Sequence, residues 1–140
     1  MIQNLPEHIK LHILSYSYSP QPKSLLLDIK NYFATHVIIH NYYYEIHKWE
    51  LNSEENANLN WLINDLLGYS NNNRPLNTGY ADFFYTIMRR HFMLQNKSNE
   101  RIDNLLSNLH NKMVTFKINI LWGLYTPHER IRFITHMYNK

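Results

Sequence analysis

Apolar positions recur along this chain with the 3.6-residue period of helices. Leu5, Ile9, Ile13 and Tyr16 fall at i, i+4, i+8 and i+11 on one face, and Leu14 flanks that stripe. Pro6 suits the first position of such a helix, because its missing N–H has no helical partner there and its ring presets φ. The spacing predicts a helix from Pro6 to about Tyr16. Pro20 and Pro22 then forbid continuation, since each lacks a donor and pushes its predecessor towards extended backbone. A second helix is predicted from about Pro22 to Tyr32 or Phe33, with Leu25, Leu26, Ile29 and Tyr32 on one side. A third is predicted from about Thr35 to Leu51, with Val37, Ile38, Asn41, Tyr44, Ile46 and Trp49 on a mixed face. The runs Val37-Ile38-Ile39 and Tyr42-Tyr43-Tyr44 would also suit a strand. No partner strand is evident, so helix is preferred.

The second half continues the pattern. Residues 52–60 are polar and read as a loop. Leu59, Leu62, Ile63, Leu66 and Leu67 mark a short helix ended by Gly68. Residues 70–78 form the longest polar run and are expected to be a flexible loop, the best candidate boundary in the chain. A helix over about Tyr80 to Leu94 is expected to bury Phe83, Phe84, Ile87, Met88 and His91, with Asp82 favouring its N-terminus. Ser98 or Asn99 caps the next, with Ile102, Leu105, Leu106 and Leu109 inward. Met113, Phe116, Ile120, Leu121 and Leu124 carry a further helix. Thr126-Pro127-His128-Glu129 places Thr at the N-cap, Pro first and Glu third, a strong start signal for a last helix presenting Ile131, Ile134 and Tyr138 on one side. The expected fold is all-α, one compact domain of seven or eight helices.

Composition changes the picture at three points. The chain has 140 residues and no cysteine, which removes disulfides, thiol nucleophiles and Cys-based zinc sites and fits a reducing compartment. Its 19 asparagines, with frequent Ile, Tyr and Lys, share A/T-rich codons, so Asn71-Asn72-Asn73 reads as compositional drift in a polar loop. The net charge of +3 is spread along the chain, with Arg89-Arg90 and the pair Arg130 and Arg132 as its densest points. That reads as a mildly basic solvated surface, without the stripe nucleic-acid binding needs. No run approaches the ~20 apolar residues of a membrane span, and the start lacks a signal-peptide pattern. The expectation is a soluble intracellular protein.

Catalytic patterns are sparse. His8 and His12, and His36 and His40, stand four apart and could share a helix face, yet neither pair has a carboxylate at a ligand spacing, and no HExxH motif occurs. Surface positions are expected for them, and no metal site is predicted. There is no GxSxG elbow, and Gly68, Gly79 and Gly123 stand too far apart to form a phosphate loop. Glu54-Glu55 reads as solvent-facing. Trp49, Trp61 and Trp122 are expected in the core. The reading is of a non-enzyme with no cofactor.

Leu5-Pro6-Glu7-x-Ile9, followed by Ile13-Leu14-Ser15-Tyr16, a Pro turn and the Leu25-Leu26 helix, resembles the opening of an F-box. The chain is similar to the short, Asn-rich F-box-like proteins of large nucleocytoplasmic DNA viruses, and Leu124-Tyr125-Thr126-Pro127-His128-Glu129-Arg130 is similar to a C-terminal segment of such proteins. The likeness covers about Leu5 to Tyr44. The turn over residues 17–23 is longer than usual, and the usual Val and Trp pair before a basic cluster is not in register. The resemblance implies an F-box-like module over residues 1–51, with the helices of residues 52–140 packed on it. It also implies docking to a Skp-type adaptor of a cullin ubiquitin ligase through Leu5, Pro6, Ile9, Ile13 and Leu14, in the host cytoplasm. A structural or virion-associated helical protein without a ligase role is the alternative, and a nucleic-acid-binding helical protein trails. Burial of Ile9, Ile13 and Leu14 would remove the docking reading. Convergence of Arg89, Arg90, Arg130 and Arg132 on one face would raise the third.

Overall fold

Between Lys23 and His47 the chain holds neither proline nor glycine, and these 25 residues form one uninterrupted helix. The computed structural model describes residues 5–17, 21–48, 57–109 and 111–139. Among them seven α-helices and no strand are found: α1 (Glu7–Ser17), α2 (Lys23–His47), α3 (Ala57–Ser70), α4 (Asp82–Met88), α5 (Asn99–Leu109), α6 (Val114–Leu124) and α7 (Pro127–Tyr138). The fold is all-α, as the periodicity predicts. The two helices expected over residues 22–51 are a single one. Thr35, at the expected break, stays in the ladder by donating its hydroxyl to the Asn31 and Tyr32 carbonyls at 2.6 and 3.2 Å.

α2 is the spine of the fold. Thr35, Ile39 and Tyr43 lie buried at i, i+4 and i+8, facing α3, α6 and α7. α3 packs on α6 as well as on α2, and α4 links α3 to α5. The core holds Trp122, Tyr125 and Phe133 in mutual ring contact, with Trp122 edge-on to Phe133 at 5.8 Å. Ile39, Leu62, Leu66, Phe84, Ile87, Ile102 and Ile118 pack around them. Burying a large apolar side chain of this kind contributes about 1.5–3 kcal/mol. Hydroxyls tie the layers together: Tyr42 donates to the Met137 carbonyl at 2.8 Å, and Tyr125 to the Leu66 carbonyl at 2.9 Å.

Several element ends differ from the expected ones. α3 starts at Ala57 and runs past Gly68 to Ser70, whose hydroxyl donates to the Leu66 carbonyl at 2.7 Å. The left-handed residues that end it are Asn72 and Asn73, with φ 53° and 57°. The loop that follows is a built turn. Asn71 is fully buried, and its amide nitrogen donates to the Arg74 and Gly79 carbonyls, both at 3.1 Å. Its amide oxygen accepts from the Ala81 N–H at 2.5 Å. α4 stops at Met88, six residues short of expectation, because the chain turns and Leu94 folds back into the core.

Ser98 caps α5, accepting from the Arg101 N–H at 3.3 Å, but Leu105 on that helix is exposed where an inward position was expected. α7 opens with the expected reciprocal box of Thr126 and Glu129 and with Pro127 at its first turn. Its buried face is Arg130, Phe133 and Met137. Ile131 and Tyr138 are exposed, so the predicted face is turned by about one residue. Trp122 is core as expected, Trp61 is half-exposed and stacks on His47, and Trp49 and Glu54-Glu55 lie outside the described residues.

Candidate docking surface

α1 begins where the Pro6 carbonyl accepts from the Ile9 and Lys10 N–H groups at 3.0 and 3.1 Å. Its side-chain bonds among the described residues are local: Lys10 to Glu7 at 3.4 Å and Ser15 to the His12 carbonyl at 2.7 Å. α1 has no helix-on-helix packing on the scale that joins α2, α3, α6 and α7. Its apolar stripe is partly exposed. Leu5 and Ile9 are each 37% exposed and Ile13 is 43% exposed; Pro6 is exposed too. Leu14 sits on the same helix, and its side chain lies outside the described residues. Beyond the turn, Leu25, Leu26, Leu27 and Ile29 at the start of α2 are also exposed.

The first turns of α2 are held to the body from the opposite side. Arg130 of α7 is buried, and its Nη1 donates to Asp28 Oδ1 at 2.7 Å and to Asn31 Oδ1 at 3.1 Å. Its Nε donates to the Trp122 carbonyl at 2.9 Å. Arg130 is thus a structural anchor and no part of a solvated basic surface. Arg90 makes a two-pronged contact with Glu129, at 2.5 and 2.9 Å, and also reaches the Leu124 carbonyl at 2.9 Å. Burial raises the Glu129 carboxyl, but its bonds to Arg90 and Thr126 outweigh that, and it sits below the ordinary glutamate value. Arg89 binds the Lys97 carbonyl and Asn99. Three of the four arginines therefore serve internal contacts.

His8 and His12 lie on exposed α1. The His36 and His40 rings lie with centroids 4.1 Å apart, tilted by 31°, and His36 Nε2 is 3.0 Å from Asn119 Oδ1. No group of three metal-ligating side chains occurs among the described residues. His40 Nε2 is buried without a hydrogen-bond partner. Burial, and secondarily the neighbouring His36, lower the His40 pKa from 6.5 to about 4. The unfolded chain then binds this proton more readily than the folded one. Stability is full above about pH 6.5 and falls as pH drops towards 4. The shift corresponds to at most about 3 kcal/mol, screened by partial exposure to about 1–2 kcal/mol. Urea unfolding across pH 4–7 is expected to show this slope, and His40→Leu is expected to flatten it; an unchanged slope in the variant would assign it elsewhere. Loss of the Arg90–Glu129 contact falls at lower pH, below the ordinary glutamate range.

Other buried polar pairs are scaffold. The Tyr43 hydroxyl donates to Asp65, and burial is the main cause that pushes its pKa upward. The Tyr85 hydroxyl meets both Asp103 oxygens at 3.0 and 3.1 Å, and burial raises it also. A cavity of about 330 Å³ between α3, α5 and α6 is lined by Ile63, Leu67, Met88 and Leu121, with Asn60, Asn64 and Lys117 as polar members. None of the described helices is long and apolar enough to cross a membrane.

Periodicity located the α1 stripe; the Arg130 anchor was missed, because its partners Asp28 and Asn31 lie about a hundred residues away in sequence. Compared with known proteins, the chain matches no family model, no curated protein and no solved structure.

Proposed function

We propose that this chain is a protein-interaction module that docks through α1, and that its partner is a Skp-type adaptor of a cullin ubiquitin ligase, as the F-box-like opening implies. The observation that carries this reading is the partly exposed stripe of Leu5, Ile9 and Ile13 on α1, a helix packed less extensively than α2, α3, α6 and α7 are on one another. Side chains of this size that stay 37–43% exposed each forgo roughly 0.5–1.3 kcal/mol of burial, which a partner groove supplies. Pro6 starts the helix and so fixes the direction in which the stripe is presented. The alternative is a structural or virion-associated helical protein with no ligase role. It is favoured by the continuity of α2, which replaces the separate second and third helices of the expected module.

The test is a pull-down of the purified chain with a eukaryotic Skp-type adaptor, beside an Ile9→Asp/Ile13→Asp double variant. Both positions are only partly exposed, so the variant is expected to cost roughly 1–3 kcal/mol, and circular dichroism checks that it keeps its helix content. Adaptor binding by the intact chain and its loss in the folded variant is the expected result. No binding by the intact chain overturns the adaptor reading in favour of the structural one.

A further inference from the structure

α7 carries a row of nitrogen-bearing side chains besides its buried face. His128, Arg132 and His136 stand four residues apart, so each lies about 6 Å further along the helix and is turned by about 40° from the last. His128 and Arg132 are exposed, and His136 is half-buried. All three line a groove of about 690 Å³, where α7 meets the end of α3, the Asn72-Asn73 turn and the start of α4. That volume falls in the range of small-molecule sites, about 300–1,000 Å³. Buried Phe133 and Met137 lock α7 into the core, so the row sits on a fixed element.

No carboxylate lines this groove. Arg89, Arg90 and Arg130 are held by internal contacts, whereas Arg132 makes no hydrogen bond or ion pair among the described residues. The His128 and His136 imidazoles have no hydrogen bond there either. The facing turn adds the exposed side chains of Asn72 and Asn73, whose amides are likewise unpaired among the described residues. Burial raises the Tyr69 hydroxyl above its ordinary value, and the Arg132 charge partly offsets this, so guanidinium and phenol share the space. Glu129 is felt at Tyr69 too, but Arg90 and Thr126 already occupy that carboxylate. Tyr69 is steadied by ring contacts with Tyr125 and Phe133, and with Phe83 it gives the groove an aromatic part.

We propose that this groove binds a phosphomonoester with a planar aromatic body, the chemistry of a mononucleotide. The phosphate takes the Arg132 guanidinium, whose fork of donors matches its oxygens, with an imidazole N–H and an Asn72 or Asn73 amide as further donors. The planar body lies against the aromatic part formed by Tyr69 and Phe83. A nucleic-acid strand fits less well. It needs a basic groove that follows its backbone, and this row ends after three side chains, within about 12 Å. No residue of α1 lines the groove, so the proposal stands or falls independently of adaptor docking.

The test is isothermal titration of the intact chain with adenosine, guanosine, cytidine and uridine 5′-monophosphates. Their nucleosides, ribose 5-phosphate and an oligouridylate of about 12 nucleotides are run beside them. At least one monophosphate is expected to bind, with its nucleoside and ribose 5-phosphate each weaker by at least about tenfold. Arg132→Gln is expected to lose at least about tenfold in affinity. Lys30→Gln removes the same charge from the exposed surface of α2 and is expected to bind as the parent does. Both positions are exposed, and circular dichroism checks that both variants stay folded. The proposal is overturned if no monophosphate binds at millimolar concentration, or if Arg132→Gln binds as tightly as the parent. Ribose 5-phosphate matching the nucleotide would overturn the aromatic half and leave a bare anion site. An oligouridylate more than about a hundredfold tighter than uridine monophosphate, weakening steeply with salt, would overturn it in favour of a nucleic-acid strand.

Discussion

Arg130→Ala is expected to lower stability by roughly 3–5 kcal/mol, at least about a fifth of the roughly 5–15 kcal/mol a domain commonly has. Arg130 is 1% exposed, and it joins three elements at once. Its guanidinium bonds Asp28 and Asn31 on α2 and the Trp122 carbonyl at the end of α6, and it lies over the Tyr32 ring at 5.3 Å. Alanine removes these bonds together, leaves the Trp122 carbonyl without this partner and opens a void beside the largest core side chain. The Asp28 end tells a different story. The Asp28 side chain is 42% exposed, so water reaches the ion pair on that side. Asp28→Ala is therefore expected to cost less, about 1–2 kcal/mol, because solvent partly replaces the carboxylate. Arg130→Met fills most of the volume and is expected to fall between the two. Urea unfolding of the three variants gives the order. An Arg130→Ala cost below about 1 kcal/mol would show that α7 is held to α2 without this anchor, by apolar contacts and the Tyr42–Met137 hydrogen bond.

What the chain's pattern reveals and what it hides follow from the range of the interactions. The Thr126-Pro127-His128-Glu129 start of α7 is contained in four consecutive residues, and it forms as read. The face of α7 is a different matter. A count of apolar residues favours Ile131, Ile134 and Tyr138, yet the buried set is Arg130, Phe133 and Met137. No apolar periodicity can include a buried arginine, and its reason for being buried is Asp28, 102 residues earlier. The merger of two expected helices into α2 has the same origin. Nothing between Phe33 and Thr35 breaks a helix, and the expected break came from grouping apolar faces that change as α2 passes from solvent to core. The α1 stripe was legible as a stripe. Whether it is covered was not, since one period describes a buried face and a docking face equally well.

Asn71 is the position where composition misled most, and it carries the second large expectation. In an Asn-rich chain the run Asn71-Asn72-Asn73 reads as drift, but the three asparagines do different work. Asn72 and Asn73 are exposed and supply the left-handed backbone that ends α3, a conformation asparagine tolerates better than most residues. Asn71 is buried, and its side chain uses both of its ends. The amide nitrogen donates to the Arg74 and Gly79 carbonyls, and the oxygen accepts from the Ala81 N–H just before α4. It thereby closes residues 71–81 into one turn and satisfies a buried backbone donor that has no water to fall back on. Asn71→Ala is expected to cost roughly 2–4 kcal/mol, the sum of an orphaned N–H and two carbonyls that lose their donor. Asn71→Asp retains the acceptor for Ala81 but sets a carboxylate oxygen against the two carbonyls, so it is expected to be no better than alanine at neutral pH. Asn72→Ala and Asn73→Ala lose only backbone tolerance, about 1–2 kcal/mol each. Unfolding midpoints of the four variants separate these roles. Equal small costs at all three positions would return the run to compositional drift. A large cost at Asn71 alone, with faster amide exchange at Ala81 and through α4, would make this side chain the clasp that holds α4 against α3.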